Sequence, residues 1–211
     1  MPTDRCWRML HMAVMCILVH GMAAMTSDWS ATIRAKDEQA AMTFSGEFWW
    51  CDCWNTTADE GEEMAECRCK GAGLLDVPNN LHSGVQALLL SGLGMSTLKN
   101  NSLQPYKNSL QDLTLNEMKN LERIETGTFN NMKHLRTIYI SEAPLLRVLP
   151  GGIFAGLTDS FLSLRIMRTG LEHFPDLRDI SQGSIMHMID LEANRIREIK
   201  SNSVRVKAYQ L

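Results

Sequence analysis

The stretch that decides the fold is LRTIYISEAPLLRVLPGGIFAGL, residues 135–157. Its apolar side chains recur at steps of three, then two, then a longer stride. They are Leu135, Ile138, Ile140, Leu146, Leu149, Phe154 and Leu157. An amphipathic helix would repeat them every three to four residues, and a half-buried strand would place them at every second residue. Neither element alone explains the stretch.

The same spacing occurs four more times along the chain. Measured at the last apolar residue of each predicted short strand, the copies lie 25, 25, 26 and 25 residues apart. Those residues are Leu90, Leu115, Ile140, Ile166 and Leu191. Repeats of this length with L-x-x-L-x-L spacing are typical of leucine-rich repeats. We therefore predict a leucine-rich repeat solenoid, an α/β horseshoe with five repeats in residues 83–200, short parallel strands on the concave face and a mostly irregular convex side.

Two C-x-C pairs precede the repeats. They contain Cys51, Cys53, Cys67 and Cys69. Four cysteines in an exported chain indicate two disulfides, whereas zinc sites usually separate paired cysteines by two or more residues. A disulfide within one C-x-C would be strained, which leaves Cys51–Cys67 with Cys53–Cys69, or the nested arrangement. We predict that residues 51–82 form a disulfide-bonded cap over the first repeat.

The two termini lie outside the repeats. Residues 1–23 are predicted to be a secretory signal peptide, because Arg5 and Arg8 precede an apolar run that is too short to cross a bilayer. Residues 24–50 are predicted to be a poorly ordered extension. Its last aromatics, residues 48–50, could pack on the cap or mark a contact surface, and packing is favoured. Residues 201–211 are predicted to be an uncapped tail, and we expect the chain to be part of a longer protein.

Composition narrows the possible functions. The net charge is -3 and the sequence pI is about 6.1, so no basic stripe indicates nucleic acid as a partner. No H-E-x-x-H or G-x-S-x-G motif occurs, and the histidines occupy unrelated positions in the repeats. We expect neither enzymatic activity nor a metal or cofactor.

Function is then expected to lie on the outward surface of the strands. Side chains alternate across a strand, so the residues between the buried leucines should form columns along the concave face. Tyr139 beside Arg165 is of interest because exposed Tyr and Arg often anchor protein interfaces. The predicted ligand-contact residues are Leu89, Ser91, Asp112, Thr114, Asn116, Thr137, Tyr139, Ser141, Arg165, Met167, Asp190 and Glu192.

Two sequons predict N-glycosylation in an exported protein. Asn55 is expected in the cap loop, and Asn100 on the return between the first two repeat strands. Glycans at both positions would leave the strand columns free.

The repeats depart from the usual leucine-rich repeat pattern at one position. The third residue after L-x-L is usually Asn in leucine-rich repeats, but here only Asn194 follows that rule. The segments LTLNEMKNLERIETGTF, RTGLEHFPDL and IDLEANRIREI resemble the extracellular domain of the glycoprotein hormone receptors, a family that includes the thyrotropin, follitropin and lutropin receptors and invertebrate relatives. The resemblance covers about residues 51–199 and is most specific at residues 169–177. The cap departs from the family's, with its two C-x-C pairs and a longer loop.

This resemblance implies a hormone-binding ectodomain of a G-protein-coupled receptor. Its concave strands would grip a cystine-knot glycoprotein hormone, on the extracellular side of the plasma membrane. A hinge and seven membrane helices, which this sequence lacks, would pass the signal to a G protein. The alternative is a secreted or matrix leucine-rich repeat protein that binds, or acts as a decoy for, another extracellular protein without signalling.

Overall fold

The computed structural model describes residues 48–57, 63–82, 84–158, 160–180 and 186–199. The predicted signal peptide, most of the predicted extension and the predicted C-terminal tail lie outside these residues. Within them, no helix is long and apolar enough to cross a membrane.

The described residues form nine β-strands and one short 3-10 helix. The strands are β1 (Trp50–Thr57), β2 (Glu63–Lys70), β3 (Val85–Ser91), β4 (Thr97–Leu98), β5 (Asp112–Asn116), β6 (Arg123–Ile124), β7 (Thr137–Ser141), β8 (Ser163–Met167) and β9 (Met188–Asp190). The 3-10 helix, η1, comprises Gln104–Tyr106.

Seven strands make one sheet, in the order β1-β2-β3-β5-β7-β8-β9. β1 and β2 form an antiparallel hairpin, and every later neighbour in this sheet pairs in parallel. β4 and β6 form a second, two-stranded parallel sheet. The described chain is therefore a β-solenoid of about five turns with almost no helix. The predicted parallel strands are confirmed, but the α part of the predicted α/β horseshoe is absent from the described residues.

The leucine spacing sets the strand register. Leu90, Leu115, Ile140 and Ile166 lie opposite one another across four successive strands, and all four are buried. The apolar residues two positions earlier are buried as well, because alternate side chains share one face of a strand. Burying one such side chain stabilises the fold by about 1.5–3 kcal/mol. A coil gains this stabilisation only when a neighbouring coil covers its apolar side chains.

Aromatic side chains pack in the segments that connect one strand of the large sheet to the next. The rings of Phe129 and Phe154 stack with centroids 6.2 Å apart, and Phe154 and Phe161 follow at 6.4 Å. All three rings are buried. They replace helices as the second wall of the solenoid.

Each coil turns through a left-handed residue that lies two positions after the aligned apolar residue, which is Leu90, Leu115, Ile140, Ile166 or Leu191. These left-handed residues are Gly92, Glu117, Glu142, Arg168 and Ala193, with φ between 50° and 62°. Only the first is glycine, although the left-handed region costs other residues roughly 1–2 kcal/mol. Stacking therefore holds the bend in spite of local preference.

The cap begins with the β1–β2 hairpin, which carries both disulfides. Cys51 is bonded to Cys69, and Cys53 to Cys67. This is the nested arrangement, because the antiparallel register places Cys51 opposite Cys69 and Cys53 opposite Cys67. The prediction of two disulfides is confirmed.

The predicted boundary of the extension is off by one residue, since Trp50 already belongs to β1. Of the three aromatics expected to pack on the cap, Trp49 packs against the core. Phe48 and Trp50 instead have 77% and 37% of their surface exposed. The packing prediction therefore holds for Trp49 only.

The fifth coil differs from the others. Its strand, β9, has three residues and does not include Leu191, the residue expected to end it. Ile189 lies at the same inward position in β9 as Leu164 does in β8. Leu164 is fully buried, whereas 37% of the Ile189 surface is exposed. Within the described residues, no further strand covers it.

Candidate protein-binding surface

The seven-stranded sheet has one face on the core and one outer face. On the outer face, strand pairing aligns seven residues into a line that we call the central row. It consists of Asp52, Arg68, Leu89, Thr114, Tyr139, Arg165 and Asp190. Five of these residues form the middle column predicted from the repeats, and the other two come from the cap.

Nine of the predicted contact residues are accessible. Glu192 is exposed, and the other eight are half-buried. Those eight are Leu89, Asp112, Thr114, Asn116, Thr137, Tyr139, Arg165 and Asp190. This partial exposure suits a surface that a partner can cover.

The remaining three predicted contacts, Ser91, Ser141 and Met167, are buried. The Ser141 hydroxyl donates to Oδ1 of Asn116 at 2.7 Å, and the Met167 sulfur accepts from Arg165 at 3.4 Å. Asn116 therefore lies against Ser141, and Arg165 against Met167. We therefore remove all three from the contact set.

Tyr139, Arg165 and Asp190 form a connected cluster on the central row. The Arg165 guanidinium donates to Oδ2 of Asp190 through Nε at 3.3 Å and Nη2 at 3.2 Å. Its Cζ lies 5.2 Å from the centre of the Tyr139 ring. A cation over an aromatic face is attracted to the ring's electrons, and here the same cation is also paired with a carboxylate. The arrangement fixes the arginine before any ligand arrives.

The hairpin extends the outer face in a way that the repeat pattern does not reveal. Arg68 is exposed, and its Cζ lies 5.4 Å from the centre of the Trp54 ring. The hairpin face, as we call it, comprises the outward residues Trp50, Asp52, Trp54, Glu66, Arg68 and Lys70. The signal was present in the sequence: cysteines at alternate positions point to the core, so the residues between them must point outward.

The cap and the first coil meet at a polar cluster around Asp76. Its carboxylate accepts from Lys99 Nζ at 2.6 Å, from the Ser102 hydroxyl at 2.5 Å and from the Val77 N–H at 2.8 Å. Burial raises the pKa of Asp76, but these hydrogen bonds outweigh it and hold that pKa below its ordinary value. The cluster joins the segment after β2 to the turn after β4.

Tyr106 reinforces the same junction from inside. Its ring is buried, its hydroxyl donates to the carbonyl of Pro78, and it accepts from the Leu81 N–H at 3.4 Å. Burial raises the pKa of the Tyr106 phenol. The phenol therefore stays neutral and keeps its hydrogen bond to the cap segment.

Both sequon asparagines are exposed. Asn55 lies in strand β1 and not in a loop, which corrects its predicted location. It lies on the Cys53 side of the strand, opposite in orientation to Trp54. Asn100 follows β4, and its backbone N–H donates to Glu125 at 3.0 Å.

Asn194 binds two coils together. Asn194 Nδ2 donates to the carbonyls of Ile166 and Leu191 at 2.6 and 2.8 Å. Its Oδ1 accepts from the Thr169 N–H at 3.2 Å. The equivalent positions in the first three coils hold buried apolar residues, Leu93, Met118 and Ala143. In the fourth coil the position holds Thr169, whose hydroxyl donates to Asn194 Oδ1.

No protein-family model matches the chain. The function of the outer face must therefore be argued from its own residues and their geometry.

Proposed function

We propose that the chain is the extracellular ligand-binding part of a leucine-rich repeat receptor of the glycoprotein hormone receptor type. The regular repeat spacing, the parallel solenoid and the disulfide-bonded cap support the leucine-rich repeat assignment. Disulfides are typical of proteins exposed to an oxidising compartment, which supports export.

The observation that carries the proposal is the connected cluster of Tyr139, Arg165 and Asp190 on the outer face. Tyr and Arg are enriched among the residues that dominate interface energies. Because Asp190 and Tyr139 already hold Arg165, little side-chain freedom is lost when a ligand binds. Among the described residues, Nη1 of this guanidinium has no hydrogen-bond acceptor, so it can donate to a ligand carbonyl or carboxylate.

The rest of the outer face would provide complementary contacts. Thr114 and Thr137 offer hydroxyls, and Asp112 offers a carboxylate, each half-buried and in register with its neighbours. A cystine-knot hormone is a rigid, elongated protein, and a row of parallel strands is a rigid surface for it. Signalling would require a hinge and membrane helices that couple to a G protein. The strand face is proposed only to bind, with no catalytic step.

The test is capture of candidate hormones by the secreted full chain. The chain is immobilised, and a panel of recombinant cystine-knot glycoprotein hormone heterodimers is passed over it in biolayer interferometry. We expect at least one heterodimer to bind. The Tyr139→Ala/Arg165→Ala variant should weaken that binding by about thirtyfold or more, the effect of losing an interface hot spot.

The matched control is Lys133→Ala/His134→Ala, which removes two exposed side chains from the turn between β6 and β7. It should bind as the unmodified chain does. A panel that leaves the folded chain unbound would contradict the hormone assignment and favour the secreted-binder alternative. Equal losses of hormone binding in both variants would show that the hormone does not bind through Tyr139 and Arg165.

A further inference from the structure

The two edge strands of the large sheet differ in how well they resist pairing with another chain. β9 has three residues, and a very short edge strand is one of the devices by which proteins prevent such pairing. β1 has eight residues, contains neither proline nor lysine, and pairs with β2 in an unbroken register. Within the described residues, no strand pairs with the side of β1 that faces away from β2. We call this side of β1 the free edge.

The disulfides show which backbone groups point to the free edge. In an antiparallel pair, opposite Cα atoms lie about 5.5 Å apart where the two residues exchange hydrogen bonds and about 4.5 Å apart where they do not. The Cα atoms of Cys51 and Cys69 are 4.1 Å apart, and so are those of Cys53 and Cys67. Neither pair therefore exchanges hydrogen bonds. Because the pattern alternates along a strand, the N–H and C=O groups of Cys51, Cys53 and Asn55 point to the free edge.

We infer that the free edge of β1 pairs with the free edge of a second copy of this chain. The two strands would run antiparallel, related by a twofold axis at Cys53, so that Cys51 exchanges hydrogen bonds with Asn55 of the second copy. The two seven-stranded sheets would then form one continuous sheet. This inference does not depend on hormone binding, because it uses the backbone edge of β1 and not the outer face.

The side chains of β1 favour a second copy as the partner, in this register. Trp50 lies opposite Thr56 of the second copy, and the symmetry repeats this stabilising pair of an aromatic and a β-branched side chain. Asp52 lies opposite Trp54, so the two Asp52 carboxylates do not face each other. With the twofold axis at Asp52 they would face each other, which destabilises a strand pair. With the axis at Trp54, the exposed Trp50 would have no partner within the other β1.

The experiment compares two substitutions of the exposed Asn55. Asn55→Gln keeps the backbone N–H that would donate to Cys51 of the second copy, whereas Asn55→Pro removes that N–H. Both variants lose the sequon, so a glycan at this position cannot cause a difference between them. The proline should cost the monomer little, because the N–H of residue 55 does not bond to β2.

Sedimentation velocity of the two full-length variants measures self-association from micromolar to submillimolar concentrations. We expect Asn55→Gln to form a dimer. Asn55→Pro should dimerise about thirtyfold more weakly or worse, because the twofold symmetry removes two intermolecular hydrogen bonds of ordinary strength. Intact disulfides and similar melting temperatures verify that both variants are folded. A monomer of Asn55→Gln throughout this range, or dimers of equal strength in the two variants, would overturn the inference.

Hydrogen exchange followed by NMR locates the contact. In monomeric Asn55→Gln, the amides of Cys51 and Cys53 should exchange quickly, and those of Asp52 and Trp54 slowly, because only the latter two bond to β2. In the dimer, all four amides should exchange slowly. Fast exchange of Cys51 and Cys53 in the dimer would show that the copies meet elsewhere. Slow exchange of the same amides in the monomer would show that another part of the chain covers the free edge, and either result would overturn the inference.

Discussion

The two ends of the sheet follow the same apolar pattern but are closed differently. At the cap, β2 has a strand on each side, and Cys67 and Cys69 are fully buried beside the first coil. At the other end, β9 has only β8 beside it among the described residues, and Met188 and Ile189 are 48% and 37% exposed. The comparison teaches that an inward-facing residue is buried by its neighbouring coil and not by its own.

The bonds that hold the two ends also differ in kind. The cap is held by covalent links, whereas Asn194 ties the last two described coils through hydrogen bonds to three backbone groups. The covalent end should therefore be the more resistant to unfolding. Four predictions test this difference, in order of expected size.

The first removes the covalent closure. Replacing all four cysteines by serine should lower the free energy of unfolding by about 4 kcal/mol, because each bond closes a loop of moderate length and the second, nested bond adds less than the first. Urea unfolding followed by circular dichroism measures this. Replacement of Cys51 and Cys69 alone should cost less. An unchanged midpoint in the four-cysteine variant would show that packing alone closes the cap.

The second compares equivalent inward residues in different coils. Leu113→Ala, in a coil with neighbours on both sides, should lose about 3 kcal/mol, because it leaves a cavity in a packed core. Ile189→Ala should lose about 1 kcal/mol or less, since that side chain is partly exposed already. Equal losses at the two positions would contradict the difference between the ends.

The third removes the polar link of the last coils. Asn194→Ala should cost about 2 kcal/mol, because the Ile166 carbonyl and the Thr169 N–H of the adjacent coil lose their partner, as does the Leu191 carbonyl of the same coil. Asn120→Ala, at an exposed position in an earlier turn, is the matched control and should cost almost nothing. Hydrogen exchange of the Thr169 amide should quicken in the first variant only.

The fourth is a pH effect at the cap junction. The folded pKa of Asp76 lies below its unfolded value, so its contribution to stability is complete above the unfolded pKa of about 3.9 and is lost as the pH falls through the folded pKa. The melting temperature of the unmodified chain should therefore fall more steeply in this acid range than that of Asp76→Asn. Glu122→Gln, at an exposed carboxylate, should behave as the unmodified chain. If the melting temperatures of all three proteins fell in parallel with pH, Asp76 would not stabilise the junction.

The repeat spacing was enough to predict the strands and their register. Leucines that recur at a fixed period must stack, and stacking aligns Thr114 with Tyr139 and Arg165 without further information. The two disulfides followed from cysteine count and context. These features depend on local spacing, which a sequence displays directly.

Other features depend on pairs that are distant in the sequence. That β2 continues the sheet beyond β3 is decided by backbone pairing between the cap and the first coil, so Trp54 and Arg68 were missed. The burial of Ser141 and Met167 depends on the side chains of Asn116 and Arg165 that lie beside them. Alternation predicts which way a side chain points, but its exposure is set by its neighbours.

The left-handed bend that follows each strand has a consequence for rebuilding the molecule. Glu117 and Glu142 mark the same point of two successive coils, and the chain between them is a complete turn of 25 residues. A cut at these bends would yield interchangeable cassettes whose junctions share one backbone geometry. Glycine at either bend would relieve local strain, so this is the natural splice site for lengthening or shortening the solenoid.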